Sequence, residues 1–186
     1  MKSASKTLKR VSLELGGKSP IIVFSDCDLD KASDAVIKGF TDNAGQCCIA
    51  TSRLLVDDAI YSQLMERIVK KINASDFQQS LATHDQFNKV KSYIDRAKEI
   101  SGLDMIGGET EPGRLLVSPT IVEYHDTDYE IYKEEIFGPV LAVKVFKTEE
   151  EAVRLANDTM YGLAASIWTF DMIKANRIVR KIKAGR

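Results

Sequence analysis

The feature that most constrains this chain is the alternation of apolar, β-branched runs with stretches of helical periodicity. Residues 20–24 read Pro-Ile-Ile-Val-Phe, a short apolar run that predicts a buried strand. Residues 28–40 follow with Ala32, Ala35, Val36, Gly39 and Phe40 at helical spacing. Residues 52–56 predict the next strand, and Ile60, Leu64, Ile68 and Ile72 place a helix behind it. A further helix is expected over 84–100, with Phe87, Val90, Ile94 and Ala97 on one face. The second half keeps the rhythm, with strands expected over 114–122, 140–146 and 163–168 and helices opening at Thr148 and Asp171. Thr148 and Glu151 have capping-box spacing, the threonine at the N-cap and the glutamate reaching back to it. That helix is expected to run towards Asn157 and to be closed by Tyr161-Gly162. Strand–helix alternation predicts an α/β fold, a largely parallel sheet flanked by helices. No internal repeat, low-complexity segment or linker interrupts it, so residues 1–186 are expected to form a single domain.

Composition narrows the function classes. Hydrophobic residues at 44% and charged residues at 28% are globular values, and 186 residues suffice for one sizeable core. A net charge of −1 gives no basic face for nucleic acid, so no nucleic-acid partner is expected. Two short basic clusters, Lys6, Lys9 and Arg10 near one end and Arg177, Arg180, Lys181 and Lys183 near the other, read as solvated surface. No apolar run approaches the roughly 18–20 residues that span a bilayer, and residues 1–10 lack the apolar centre of a secretory signal. No membrane association is expected. Three cysteines, two of them adjacent, do not make a disulfide framework, and a reducing, cytoplasmic setting is the expectation.

Three stretches have the composition of chemistry. In "NAGQCCIA", adjacent Cys47 and Cys48 cannot readily face one metal ion, and no CxxC or nearby histidine completes a ligand set. A Cys–His hydrolase would have to draw on His84 or His125, both distant in sequence. Two readings stand for the pair: small core thiols, or a nucleophile activated where Gly45-Gln46 break the preceding helix and leave backbone N–H groups free. Cys27 has no motif around it and reads as packing. In "LELGGKSP", Glu14 lies between Leu13 and Leu15, either an apolar setting suited to general-base work or an exposed strand-end glutamate. The Gly-Gly-Lys that follows lacks the glycine spacing of a phosphate loop. In "KEEIFGPV", two acids ahead of an aromatic ring and a Gly-Pro turn either hold a ribose beside a flat ring or form a charged loop leading into a strand.

Together, and in this order and separation, the three stretches resemble the aldehyde dehydrogenase superfamily: "LELGGKSP" its glutamate motif, "NAGQCC" its nucleophile motif, "KEEIFGPV" its cofactor-loop motif. "LANDTMYGLAASI" is similar to a further stretch of the family, and the likeness extends over essentially the whole chain. The resemblance implies that Cys48 is the nucleophile, Cys47 its variable neighbour and Glu14 the general base. It further implies that Leu15 lies near the nicotinamide of NAD or NADP, that Glu135 binds the adjoining ribose, and that Phe137 packs beside it. The implied partners are a small-molecule aldehyde and further copies of the chain in a homo-oligomer. "IATSRLLV" is loosely similar to aminoaldehyde and betaine aldehyde enzymes.

The departures carry expectations of their own. The chain begins almost at the glutamate motif, so the family's dinucleotide-binding domain, with the asparagine that completes the oxyanion hole, is expected to be absent. Residues 72–82 form a segment shorter than is usual and lack the Gly-Pro expected near Gln79-Ser80. The sequence stops at Gly185-Arg186, ahead of the family's final strands and oligomerisation segment. An isolated catalytic domain with weakened or lost cofactor binding, and little or no aldehyde oxidation, is the expectation.

Overall fold

The computed structural model describes residues 2–123 and 129–185. In chain order the elements are α1 (Lys2–Ser5), β1 (Pro20–Val23), α2 (Leu29–Thr41), β2 (Arg53–Asp57), α3 (Tyr61–Asn73) and α4 (His84–Lys98). There follow β3 (Asp104–Ile106), β4 (Thr110–Glu111), β5 (Leu116–Val117), β6 (Thr120–Glu123), α5 (Glu130–Lys133), β7 (Val140–Phe146), α6 (Glu149–Ala156), β8 (Ser166–Trp168) and α7 (Met172–Val179). Six strands form one sheet in the order β3-β6-β7-β2-β1-β8, parallel throughout except for the β3–β6 pair at one edge.

The central strands are buried on both faces, which explains why their sequences are continuous apolar runs rather than alternating ones. Ile21, Val23, Leu54, Val56, Leu141 and Val143 point into a core closed by α2 and α3. Ile22, Leu55, Val140 and Ala142 point into the opposite core, closed by α4, α6 and α7. The expected α/β architecture and the expected helices are present, with ends shifted by a residue or two.

Local departures have local causes. The strand expected over 114–122 is interrupted: a 3-10 turn at Pro112–Arg114, Leu115 at φ 54° and Pro119 leave only β5 and β6. The strand expected over 163–168 is confined to β8. Thr148 caps α6 as expected, its Oγ1 accepting from Glu151 N at 3.1 Å, but Glu151 reaches back to Lys147 N rather than to Thr148. α6 ends at Ala156, ahead of Tyr161-Gly162. Asn157 closes it, and its side chain donates to Lys181 O and accepts from Lys183 N.

Because β1, β2, β7 and β8 run parallel, they all start on one rim of the sheet and end on the other. The carboxyl rim is tied by helix caps. Asp28 accepts from Asp30 N and Lys31 N, Asp57 from Ala59 N and Ser25 N, and Asp171 from Ile173 N and Lys174 N. Asp26 there accepts from Thr169 Oγ1 at 2.7 Å and Lys174 Nζ at 3.1 Å.

Candidate functional site

The three stretches singled out in the sequence converge on the opposite, amino rim. Residues 14–19 lead into β1, residues 42–52 into β2 and residues 133–139 into β7. In open α/β sheets ligands usually gather at the carboxyl ends of the strands. Here the chemistry-bearing residues lie on segments that enter strands rather than leave them.

The helix before the cysteines ends at Thr41, not at Gly45-Gln46, and a left-handed turn follows: Asn43 and Ala44 both have φ 54°, and Gly45 has φ 71°. A non-glycine residue in that conformation costs about 1–2 kcal/mol, so it persists only where its surroundings enforce it. The Asn43 and Gln46 side chains tie the turn internally, Asn43 Nδ2 donating to Gln46 O at 3.0 Å and Gln46 Nε2 to Asn43 O at 2.9 Å. From outside, Gln79 Oε1 accepts from Ala44 N at 2.8 Å, and Gln46 Oε1 accepts from Ala82 N at 2.8 Å. Gly45 packs on the Gly138-Pro139 backbone so closely that an added Cβ would come within 3.0 Å of it. Cys47 and Cys48 follow, half-buried, with Ala50 N donating to Cys47 O at 3.0 Å. Among the described residues the Cys48 N–H has no hydrogen-bond acceptor, which leaves it free to stabilise an oxyanion.

The glycine pair is the junction between the stretches. Gly17 lies so close to the Cys48 carbonyl that any side chain there would collide with it. Its N–H donates to Glu135 Oε1 at 2.9 Å, and Gly16 makes room for the rest of that carboxylate. Cys48 and Glu135 are thereby held on either side of one dipeptide. Helix α4 grips the loop that bears Glu135 along a single face. Gln86 Nε2 donates to Ile136 O and Phe137 O, Lys89 Nζ to Glu135 O, and Tyr93 Oη to Glu134 Oε2. Phe137 sits at φ 61° within this grip. None of the α4 residues stood out in the sequence. Their spacing beside Phe87, Val90 and Ile94 was the available signal.

Glu14 is not brought into this network. It is exposed, and Leu13 and Leu15, which were to supply an apolar setting, are themselves 60% and 65% exposed. His84 is exposed in the first turn of α4 and makes no hydrogen bond with either cysteine; His125 lies outside the described residues. Cys47 borders an open pocket of about 330 Å³ together with Ile21, Ala35, Thr51 and Ser166. Cys27 packs beside the α2–α3 core at the far rim, consistent with a packing role.

Two buried cations lie beneath the site. Arg53, fully buried, donates through Nε to Lys18 O at 2.8 Å, and through its other nitrogens to Leu155 O at 2.9 Å and Ala156 O at 2.7 Å. Lys18 is 1% exposed, and its Nζ has no hydrogen-bond partner among the described residues. Burial first, then Arg53, lowers its pKa from 10.5 to about 7, with Glu135 and Glu134 opposing and Lys89 assisting. A group with a depressed folded value binds fewer protons folded than unfolded between the two values, so stability rises with pH across that window. Below pH 7 both states keep the proton and the buried charge opposes folding in full. Cys27 acts the other way above pH 9, because burial, Asp26 and Asp28 push its thiol up to about 11. The unfolding free energy from urea titration is therefore expected to rise by about 2–3 kcal/mol from pH 7 to 9. Lys18→Met is expected to flatten that rise and to raise stability at pH 6.5; an unchanged slope in the variant would refute the assignment.

A sequence model described as "Aldehyde dehydrogenase family" matches residues 1–186. The chain is 40% identical to the peroxisomal aminoaldehyde dehydrogenase 2 of Pisum sativum and 42% identical to the betaine aldehyde dehydrogenase 1 of Oryza sativa subsp. japonica. Each alignment covers 100% of this chain and 39% of the relative. The aligned span of 198 residues exceeds the 186 present here, so gaps fall within this chain. Among solved structures, the NAD-dependent aldehyde dehydrogenase from Sinorhizobium meliloti superposes with a TM-score of 0.93 at 43% identity, over 100% of this chain and 39% of that one.

Proposed function

The chain belongs to the aldehyde dehydrogenase family, and on that premise we propose that residues 1–186 act as one thiol-bearing catalytic domain of an NAD(P)-dependent enzyme that oxidises an aldehyde to a carboxylic acid. The observation that carries the reading is the Gly16-Gly17 junction, which holds Cys48 and Glu135 against one dipeptide at the amino rim. Cys48 is the nucleophile: its sulfur adds to the aldehyde carbonyl, and its own N–H takes the oxyanion. NAD(P)+ held at this rim would supply the hydride acceptor, and Cys48 would then carry the acyl group as a thioester. Glu14 deprotonates the water that hydrolyses the thioester, releasing the acid and restoring the thiol.

The residues at the rim fit the cofactor's chemistry. Glu135 already accepts one N–H and has lone pairs left for ribose hydroxyls, while Leu15 and Phe137 supply apolar contact for a flat ring. The 186 residues alone are expected to hold the dinucleotide weakly. The relatives' names put aminoaldehydes and betaine aldehyde first among compounds to assay. No described helix is long and apolar enough to cross a membrane, and we retain a cytoplasmic setting as our reading.

The test is hydrolysis of p-nitrophenyl acetate, which uses the thiol without the cofactor. Cys48→Ser is expected to lower the rate at least about 100-fold and Cys47→Ser to leave it within about twofold. The reverse pattern would transfer the role to Cys47. Reduction of NAD+ with aldehyde by these residues at rates above about 1 s⁻¹ would overturn the weak-cofactor reading.

A second reading, a folded unit acting only through self-association, is favoured by one observation: Met160, Phe170, Met172, Ile173 and Val179 are exposed around β8 and α7. Esterase activity that depends on Cys48 excludes it. The same apolar surface supports a homo-oligomer under either reading, and a strictly monomeric species at millimolar concentration would count against both uses of it.

A further inference from the structure

We propose that Gln79 is a positioning residue, its side-chain carbonyl fixing the left-handed turn that presents Cys48. The inference rests on the reading of Cys48 as nucleophile and names a group that this reading does not use. Ala44 is 4% exposed and lies second in the run of three left-handed residues. Its N–H donates to Gln79 Oε1 at 2.8 Å. A part-buried N–H that loses its acceptor is destabilised, so removing the exposed Gln79 side chain favours a turn that rotates Ala44 out of this conformation. Cys48 is four residues further along, and its carbonyl is wedged against Gly17, so rotation at Ala44 carries directly into the nucleophile.

Gln79 acts from a fixed base. Its neighbour Leu81 is 2% exposed and donates its N–H to Leu115 O at 2.9 Å, while Ala82 N is held by Gln46 Oε1. The two glutamines exchange hydrogen bonds, each side chain engaging the other's segment: Gln79 holds the backbone of the turn, and Gln46, from the turn, holds the backbone beside Gln79.

The experiment uses the 186-residue chain with Gln79→Met, which keeps length but removes the acceptor, and Gln79→Glu, which keeps an acceptor. Three quantities are read: hydrogen exchange of the Ala44 amide, iodoacetamide alkylation of Cys48, and alkylation of Cys27 at the opposite rim as an internal control, the last two by mass spectrometry. In Q79M, Ala44 exchange is expected to quicken at least about tenfold and Cys48 alkylation to slow about tenfold. Cys27 is expected to be unchanged, and Q79E to stay near the wild-type values. Faster Ala44 exchange with unaltered Cys48 alkylation would make Gln79 merely structural and overturn the proposal. So would faster Cys27 alkylation, which signals general loosening, or unaltered Ala44 exchange. A wild-type Cys48 that reacts no faster than Cys27 refutes the nucleophile reading itself, and that failure shows before any variant is made.

Discussion

Arg53→Met is expected to lower the unfolding free energy by about 3–5 kcal/mol, read as a shift of the urea midpoint at constant slope. The guanidinium is completely buried yet, among the described residues, has no carboxylate partner in hydrogen-bond contact. Its charge is spread over the carbonyls of Lys18, Leu155 and Ala156 and lies 5.1 Å above the Tyr132 ring. Methionine fills much of the volume but leaves the Lys18 and Ala156 carbonyls facing an apolar side chain, whereas Leu155 O keeps Tyr132 Oη and Asp158 N, so the loss is one of satisfaction more than of packing. One compensation is built in, because removing Arg53 also removes a cation that disfavours charged Lys18. The net loss is therefore expected to be smaller below pH 7, where Lys18 is protonated, than at pH 9. Arg53→Lys, which keeps the charge but cannot span the three carbonyls, is expected to lose about half as much. A methionine variant within 1 kcal/mol of wild type would mean that the carbonyl cluster is not what holds α6 to the start of β1 and β2.

Gly45→Ala is the second large effect, and it strikes the site itself. A Cβ at this position meets the Gly138 carbonyl and the Pro139 nitrogen inside 3.0 Å, and both are backbone, so no rotamer change relieves it. The φ of 71° adds conformational strain. The expected cost is about 2–4 kcal/mol, together with a fall of Cys48 alkylation to the rate of an unconstrained thiol. Gly102→Ala separates the two causes: Gly102 has φ 81°, but an added Cβ meets nothing within 4 Å. It is expected to lose only about 1 kcal/mol. If both substitutions cost the same, the contact between the left-handed turn at 43–45 and the Gly138-Pro139 loop carries no energy of its own.

The periodic segments were legible because their determinants are local. Val140–Phe146 was expected and found as a strand to the residue, Thr148 caps α6 as expected, and Asp171, expected to open the last helix, is its N-cap. The candidate chemistry was legible as three motifs, but not as a place. Nothing local says that residues 16–17 lie between Cys48 and Glu135, since that depends on parallel pairing of β1, β2 and β7 across long separations. The antiparallel edge at β3 and the β4–β5 hairpin escaped notice because their strands are only two or three residues long. Arg53 carried a faint signal, a charged residue opening an apolar strand, whereas Lys18 carried none. The burial of both follows from the sheet rather than from their neighbours in sequence. Glu14 shows the converse: two flanking leucines suggested an apolar setting, and the backbone exposes all three.

The division of the sheet into two rims has an engineering consequence. The carboxyl rim, with the caps at Asp28, Asp57, Thr148 and Asp171, anchors helices, whereas the amino rim holds the left-handed turn before Cys48, the glycine junction and the Glu135 loop. Stabilising changes can be concentrated on the first without disturbing the second. Changes on the amino rim act on the site and on folding together, because Gly45, Arg53 and Gln79 hold its turns in place. A library aimed at specificity on that rim would therefore leave those three positions fixed.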